Sequence, residues 1–131
     1  MDWSPLIDAA EAVRRNAYAP FSEFKVGAAV QTQSGRIFSG CNVENRSFGA
    51  TICAERFAVG SAIAAGDTRI EGVVVVTDTS PPSPPCGLCL QVLAEFGDAK
   101  LPILLLNLKG ERLESQLADF LPHPFQLPDQ T

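Results

Sequence analysis

The chain has 131 residues, 46% of them hydrophobic and 19% charged, which fits one globular domain and leaves no room for a second of ordinary size. Ten Lys and Arg against fifteen Asp and Glu give a formal charge of −5. That argues against a nucleic-acid or anionic-membrane surface, because phosphate binding is driven mainly by basic side chains. Four cysteines stand beside a single histidine, so any acid–base or metal chemistry has to proceed largely without imidazole.

The opening Met1-Asp2-Trp3-Ser4-Pro5 has neither a basic n-region nor an apolar h-region, so no secretory signal is expected. Ser4 as N-cap and Pro5 at the first helical position predict a helix running to about Ala17, with Leu6, Ile7, Ala10 and Val13 on one face. Ala19-Pro20 breaks it. Phe24 to Thr32 and Ile37 to Cys41 read as two strands of a hairpin turning at Gln33-Ser34-Gly35. The polar stretch from Asn42 to Ser47 is the kind of loop on which binding residues sit. Cys53 to Ala65 predicts an Ala-rich helix closed by Gly66 at the C′ position.

Ile70 to Thr77 is a Val-rich run, as expected of a central strand buried on both faces. The loop from Asp78 to Pro85 holds four prolines and predicts a rigid, extended path. Cys86 to Phe96 reads as a third helix, ended by Gly97, and Leu101 to Asn107 as another buried strand. Lys109-Gly110 is a turn, and Glu114 to Leu121 reads as a short final helix. The tail Pro122-His123-Pro124-Phe125 cannot be helical. No apolar run approaches the roughly 20 residues of a membrane span. This order predicts an α/β fold: a three-layer α/β/α sandwich on a mixed sheet of about five strands, a hairpin followed by parallel strands with helical crossovers.

Three cysteines fall at helix starts: Cys53 opens the second helix, and Cys86 and Cys89 lie one turn apart at the start of the third. Thiolates are favoured there by the partial positive charge and free amides of helix N-termini. If both helices lie on one face of the sheet, three thiolates converge near the strand ends, with the fourth position of a tetrahedral zinc site left open, the catalytic pattern. Cys86-x-x-Cys89 alone reads as well as a redox or structural-zinc motif. Cys53-x-Glu55 and Pro85 tip the reading, because Glu55 can approach the metal without ligating it and move protons there. C-A-E followed by P-C-x-x-C matches the pattern of zinc nucleobase deaminases in its three-cysteine form. One Zn²⁺ with three thiolates sums to −1, and Arg56, three residues from Cys53 on the same helical face, is the cation expected to offset it. Cys41 reads as a buried small apolar residue, and His123 has no catalytic place.

At these residues the chain resembles the zinc-dependent cytidine deaminases of the small homotetrameric type. The shared blocks are Phe24-Lys25-Val26-Gly27-Ala28-Ala29, Gly40-Cys41-Asn42-Val43-Glu44-Asn45, Cys53-Ala54-Glu55-Arg56, Pro85-Cys86-Gly87-x-Cys89-x-Gln91 and Leu121-Pro122-x-x-Phe125. The resemblance implies one Zn²⁺ per subunit on Cys53, Cys86 and Cys89, with Glu55 as proton shuttle. It gives Asn42 and Glu44 the ribose hydroxyls and Phe24 the base, and assigns the pyrimidine edge to main-chain groups of Ala54 and Pro84. Phe125, in a tail of about residues 122–131 at an oligomer interface, would reach a neighbouring subunit's site in a homotetramer. On the residues alone, Phe24 and Phe125 read equally as core or interface aromatics, and Asn42 and Glu44 also read as turn residues.

The implied activity is hydrolytic deamination of cytidine and deoxycytidine to uridine and deoxyuridine plus ammonia, in pyrimidine salvage. The partner is a small nucleoside, with no nucleic acid and no membrane, and a cytoplasmic location is the default. Leu90, Pro84 and Phe48 stand where relatives often carry Arg, Ser and Tyr, which bears on substrate preference more than on reaction type. Two alternatives stay open: deamination of a modified or bulky cytosine nucleoside such as blasticidin S, and a non-catalytic nucleoside-binding zinc protein.

Overall fold

The computed structural model describes residues 1–128. In chain order it runs α1 (Ser4–Arg14), β1 (Gly27–Thr32), β2 (Ile37–Cys41), a 3₁₀ turn (Phe48–Ala50), α2 (Ala54–Ala64), β3 (Ile70–Val76), α3 (Gly87–Phe96), β4 (Pro102–Leu106), β5 (Arg112–Gln116) and α4 (Leu117–Phe120). The five strands form one mixed sheet in the order β2-β1-β3-β4-β5. Only β3 and β4 are parallel, Val73 pairing with Ile103 and Val76 with Leu106, and α3 is the crossover between them. The other three pairings are antiparallel.

Alternation along the strands divides the core between the two faces of the sheet. Ala28, Val30, Val73, Val75, Ile103 and Leu105 pack with Ala58, Val59 and Ala62 of α2 and with Leu90 and Leu93 of α3. Their neighbours Ala29, Val74, Val76, Leu104 and Leu106 face the other way, onto Trp3, Leu6 and Ala10. A strand buried on both faces needs apolar residues at every position, which is why β3 reads as an unbroken valine run. Full burial of each such side chain contributes roughly 1.5–3 kcal/mol. The architecture is the expected three-layer α/β/α sandwich, with α2 and α3 on the same face.

Close approach fixes α2 on the sheet. A Cβ at Gly40 of β2 would lie 2.6 Å from the Ala58 nitrogen and 2.8 Å from the Ala54 carbonyl oxygen, so only glycine lets the helix sit this near. At its far end α2 closes as expected on Gly66, whose φ is 95°. The Gly66 amide bonds the Ile63 carbonyl and the Asp67 amide the Ala62 carbonyl, the double bond of a Schellman motif.

Three expectations about elements need correction. Ser4 is not the N-cap; that place belongs to Trp3, and Asp2 Oδ1 accepts from the Ser4 amide at 3.1 Å. The first strand begins at Gly27, not Phe24, because Asn42 intervenes: its Oδ1 accepts from the Val26 amide at 2.8 Å and its Nδ2 donates to the Phe24 carbonyl at 2.7 Å. A side chain thus replaces the ladder bonds that another strand would supply. Finally, the helix expected over Glu114 to Leu121 is a strand followed by a single turn. Arg112–Gln116 pairs antiparallel with β4 as the sheet's edge, and only Leu117–Phe120 is helical. The hairpin turns at Gly110, with φ 86°. Of the tail expected over residues 122–131, the last three residues lie outside the described part.

Candidate active site

Two helix N-termini converge on one point, and a cysteine caps each. Cys53 is the N-cap of α2 and Cys86 of α3, both extended in backbone and neither making a side-chain capping hydrogen bond. With Cys89, one turn into α3, their sulfurs lie within 4.8 Å of one another, and Cys86 Sγ is 3.6 Å from Cys89 Sγ. Three soft thiol donors so placed suit a tetrahedral Zn²⁺ and leave one coordination position for a non-protein ligand. Glu55 is not part of the cluster.

Arg56, in the first turn of α2, reaches the Cys53 sulfur. Its Nη2 donates to the Thr51 carbonyl at 3.0 Å and to Cys53 Sγ at 3.7 Å, and its Nε is buried without a partner among the described residues. Hydrogen bonding within the thiol cluster, mainly from Cys89, and the Arg56 guanidinium bring Cys53 down to about 5 against the opposing effect of burial. Cys89 moves the other way, its thiol pushed up by its bond to Cys53, by burial and by the Glu55 and Cys53 charges. Of that pair, Cys53 is the more readily ionised. Leu90, which follows Cys89, is buried in the core cluster on this face of the sheet.

Glu55 is 5% exposed, in the first turn of α2. Burial raises its carboxyl to about 7, with the Cys53 charge adding to the rise, while its own backbone amide and Arg56 pull the other way. A carboxyl poised near neutrality can both take up and release a proton.

In front of Glu55 and the sulfurs opens a cavity of about 340 Å³. Its wall comes from five segments. Ser22, Phe24 and Val26 precede β1; Asn42, Glu44 and Thr51 come from the connection after β2; Cys53, Ala54 and Glu55 head α2. Val75 and Thr77 stand at the end of β3, and Ser83, Pro84 and Cys86 close the side formed by the proline loop. That loop is pinned: the Ser83 amide donates to Thr77 Oγ1 at 3.3 Å, and Asn107 Nδ2 donates to the Thr79 carbonyl at 2.9 Å. No Lys, Arg or His is among the described residues lining the cavity.

Cys53, Cys86, Cys89, Glu55, Arg56, Phe24, Asn42, Glu44 and Ala54 are thus brought together, and Phe125 is not. That residue is 70% exposed and absent from the cavity wall of its own chain. Phe48, 75% exposed, lines a neighbouring recess that shares Ser22, Glu44 and Thr51. Ser22 was not anticipated from sequence. Its hydroxyl donates to Glu44 Oε2 and accepts from the Phe24 amide, while Glu44 Oε1 accepts from the Phe21 and Ser22 amides at 3.0 and 3.2 Å. These bonds hold the Glu44 carboxyl below the usual carboxylate range, the Ser22 hydroxyl contributing most. The motif Phe21-Ser22 followed by a distant Glu44 carries no local signal of this contact.

Residues 3–105 match the family model described as the cytidine and deoxycytidylate deaminase zinc-binding region. A curated protein of Sporosarcina psychrophila named cytidine deaminase is 43% identical over 129 residues, covering 98% of this chain and 95% of that one. One of Halalkalibacterium halodurans with the same name is 42% identical over 129 residues, covering 98% of each. Among solved structures, the cytidine deaminase of Burkholderia pseudomallei is 46% identical with a TM-score of 0.90, covering 95% of this chain and 100% of that one. Sequence match, fold and the three-thiol site with its buried carboxyl agree, and the chain belongs to the family of cytidine and deoxycytidylate deaminases defined by this zinc-binding region.

Proposed function

We propose that this chain hydrolyses cytidine and deoxycytidine to uridine and deoxyuridine with release of ammonia. The observation that carries the reading is Glu55, buried and titrating near 7, beside three thiols at the head of an uncharged-nucleoside-sized cavity. Cys53, Cys86 and Cys89 would hold one Zn²⁺ per subunit. Bound there, zinc supplies the Lewis acidity that makes water a nucleophile near neutral pH. Glu55 is placed to take a proton from water held at the site and deliver it to ring N3, which would turn an amidine-like C4 into an electrophile. A second proton passes through Glu55 to the exocyclic nitrogen, which leaves as ammonia, so cytidine and water balance uridine and ammonia. Arg56 offsets thiolate charge through its contact with Cys53.

Phe24 packs on the base, and Asn42 and Glu44 address the sugar hydroxyls. Ala54 and Pro84 offer main-chain groups to the pyrimidine edge. Phe125, exposed on its own chain, serves a neighbouring subunit's site in a homotetramer, with the remainder of the chain a single deaminase domain. A cavity without basic side chains favours nucleosides over nucleotides, whose phosphate calls for cationic partners. Pyrimidine salvage in the cytoplasm is the setting this chemistry suits, and among the described residues no helix is long and apolar enough to cross a membrane. The relatives above are named for cytidine, so the blasticidin-type and non-catalytic readings are not favoured.

The test is ammonia release from cytidine, deoxycytidine, deoxycytidylate and blasticidin S by zinc-quantified protein, beside Glu55→Gln. Turnover of the first two, lowered about 10²–10⁴-fold in the variant at unchanged zinc content, is expected. Zinc-loaded protein that turns over none of them would leave a binding role instead.

A further inference from the structure

We infer that Gln91 is a positioning residue: its side-chain amide latches the backbone of Phe125 to the helix that carries Cys86 and Cys89. Gln91 Nε2 donates to the Phe125 carbonyl at 3.2 Å, and Gln91 Oε1 accepts from the Phe125 amide at 3.1 Å. One planar amide bonding both backbone groups of one residue repeats a rung of an antiparallel ladder. It fixes orientation as well as place. Among the described residues, no other hydrogen bond ties residues 122–127 to the body of the chain.

The surroundings leave this pair to do the holding. Pro122 and Pro124 have no amide to donate. Between the tail and α3 lies an open recess of about 360 Å³, edged by Ala94 and Glu95, rather than apolar packing. Phe125 and Leu127 are 70% and 53% exposed. The tail therefore takes its position from Gln91, not from a buried side chain. Gln91 is two residues from Cys89 on the same helix, so the latch refers the Phe125 ring to the same rigid element that places two sulfurs. Its kinetic consequence rests on the deaminase reading and on Phe125 serving a neighbouring copy's cavity; the latch itself does not.

The experiment compares zinc-loaded wild type with Gln91→Ala, Phe125→Ala and the double variant. Hydrogen exchange at the Phe125 amide is expected to quicken about tenfold or more in Gln91→Ala, because its acceptor is gone. Gln91→Glu keeps that acceptor and loses the donor, so its exchange should fall between the two. For cytidine, Gln91→Ala should raise KM about three- to tenfold with a smaller change in kcat, as expected from losing binding geometry rather than chemistry. Zinc content and melting temperature should stay at the wild-type values. The double variant should match Phe125→Ala alone, since Gln91 acts through that residue. Unchanged protection of the Phe125 amide would overturn the latch, and losses that multiply in the double variant would overturn Gln91 acting through Phe125. A wild type inactive on cytidine would refute the deaminase reading, while the exchange measurement would still decide the latch.

Discussion

Glu55 makes the metal-free protein less stable as pH rises, and Glu55→Gln should expose the effect. The folded carboxyl titrates at about 7 against an ordinary 4.5, because burial disfavours its charged form. The folded state thus holds this proton more tightly than the unfolded state does. Its contribution to stability is fully present below pH 4.5 and is lost as pH rises through 7. At about 1.36 kcal/mol per unit, the loss between pH 5 and pH 8 comes to about 2.5 kcal/mol. Glutamine has the same shape and no charge to bury. The variant, measured in chelator and reductant, should therefore gain about 2.5 kcal/mol on the wild type over that interval. Cys53 acts in the opposite sense: its depressed value adds stability as pH rises above about 5. Both proteins carry that thiol, so it largely cancels in the difference. Urea unfolding at pH 5, 6, 7 and 8 gives the comparison. A difference between variant and wild type that stays flat across the series would refute a buried, unpaired carboxyl at this position.

Two further expectations concern what surrounds the sulfurs. Arg56→Ala removes the guanidinium from Cys53, so the Cys53 thiol should ionise at higher pH in the metal-free protein, read from alkylation rate against pH, and zinc should be lost more readily to a competing chelator. Gly40→Ala puts a methyl group 2.6 Å from the Ala58 nitrogen and 2.7 Å from the Phe57 Cβ. Overpacking of this kind costs about 1–3 kcal/mol, and because the displaced helix carries Cys53, zinc retention and thermal stability should fall together.

Periodicity and punctuation made most of the layers legible. The valine run of β3, the hairpin of β1 and β2 and the Gly66 stop of α2 all follow from local chemistry. The edge strand does not. Arg112–Gln116 has Glu and Gln, good helix formers, and no buried alternation, since every position is exposed or only half-buried. Pairing with β4 across the Gly110 turn outweighs that propensity. In the site, residue types and spacing identified the thiols, Glu55 and Arg56, because each sits within a turn of a helix start. Ser22 and the double bond from Gln91 stayed hidden. Both depend on contacts between segments distant in sequence, 22 residues apart for Ser22 and Glu44 and 34 for Gln91 and Phe125. Asn42 was marked as a binding residue, yet its amide is occupied with the backbone of Phe24 and Val26, so it shapes the approach to the cavity as well.

Cys53 and Cys86 occupy the N-cap positions of two helices, and neither makes a side-chain capping hydrogen bond. One sulfur atom at each place thus answers two demands, for negative charge at the end of a helix and for a soft donor to a metal. Serine, an excellent cap, would bring an acceptor oxygen but neither the thiolate charge nor the soft donor; alanine would bring none of these. The beginnings of α2 and α3 are accordingly where a metal could be held, and an ion on these three sulfurs would tie two helix ends together.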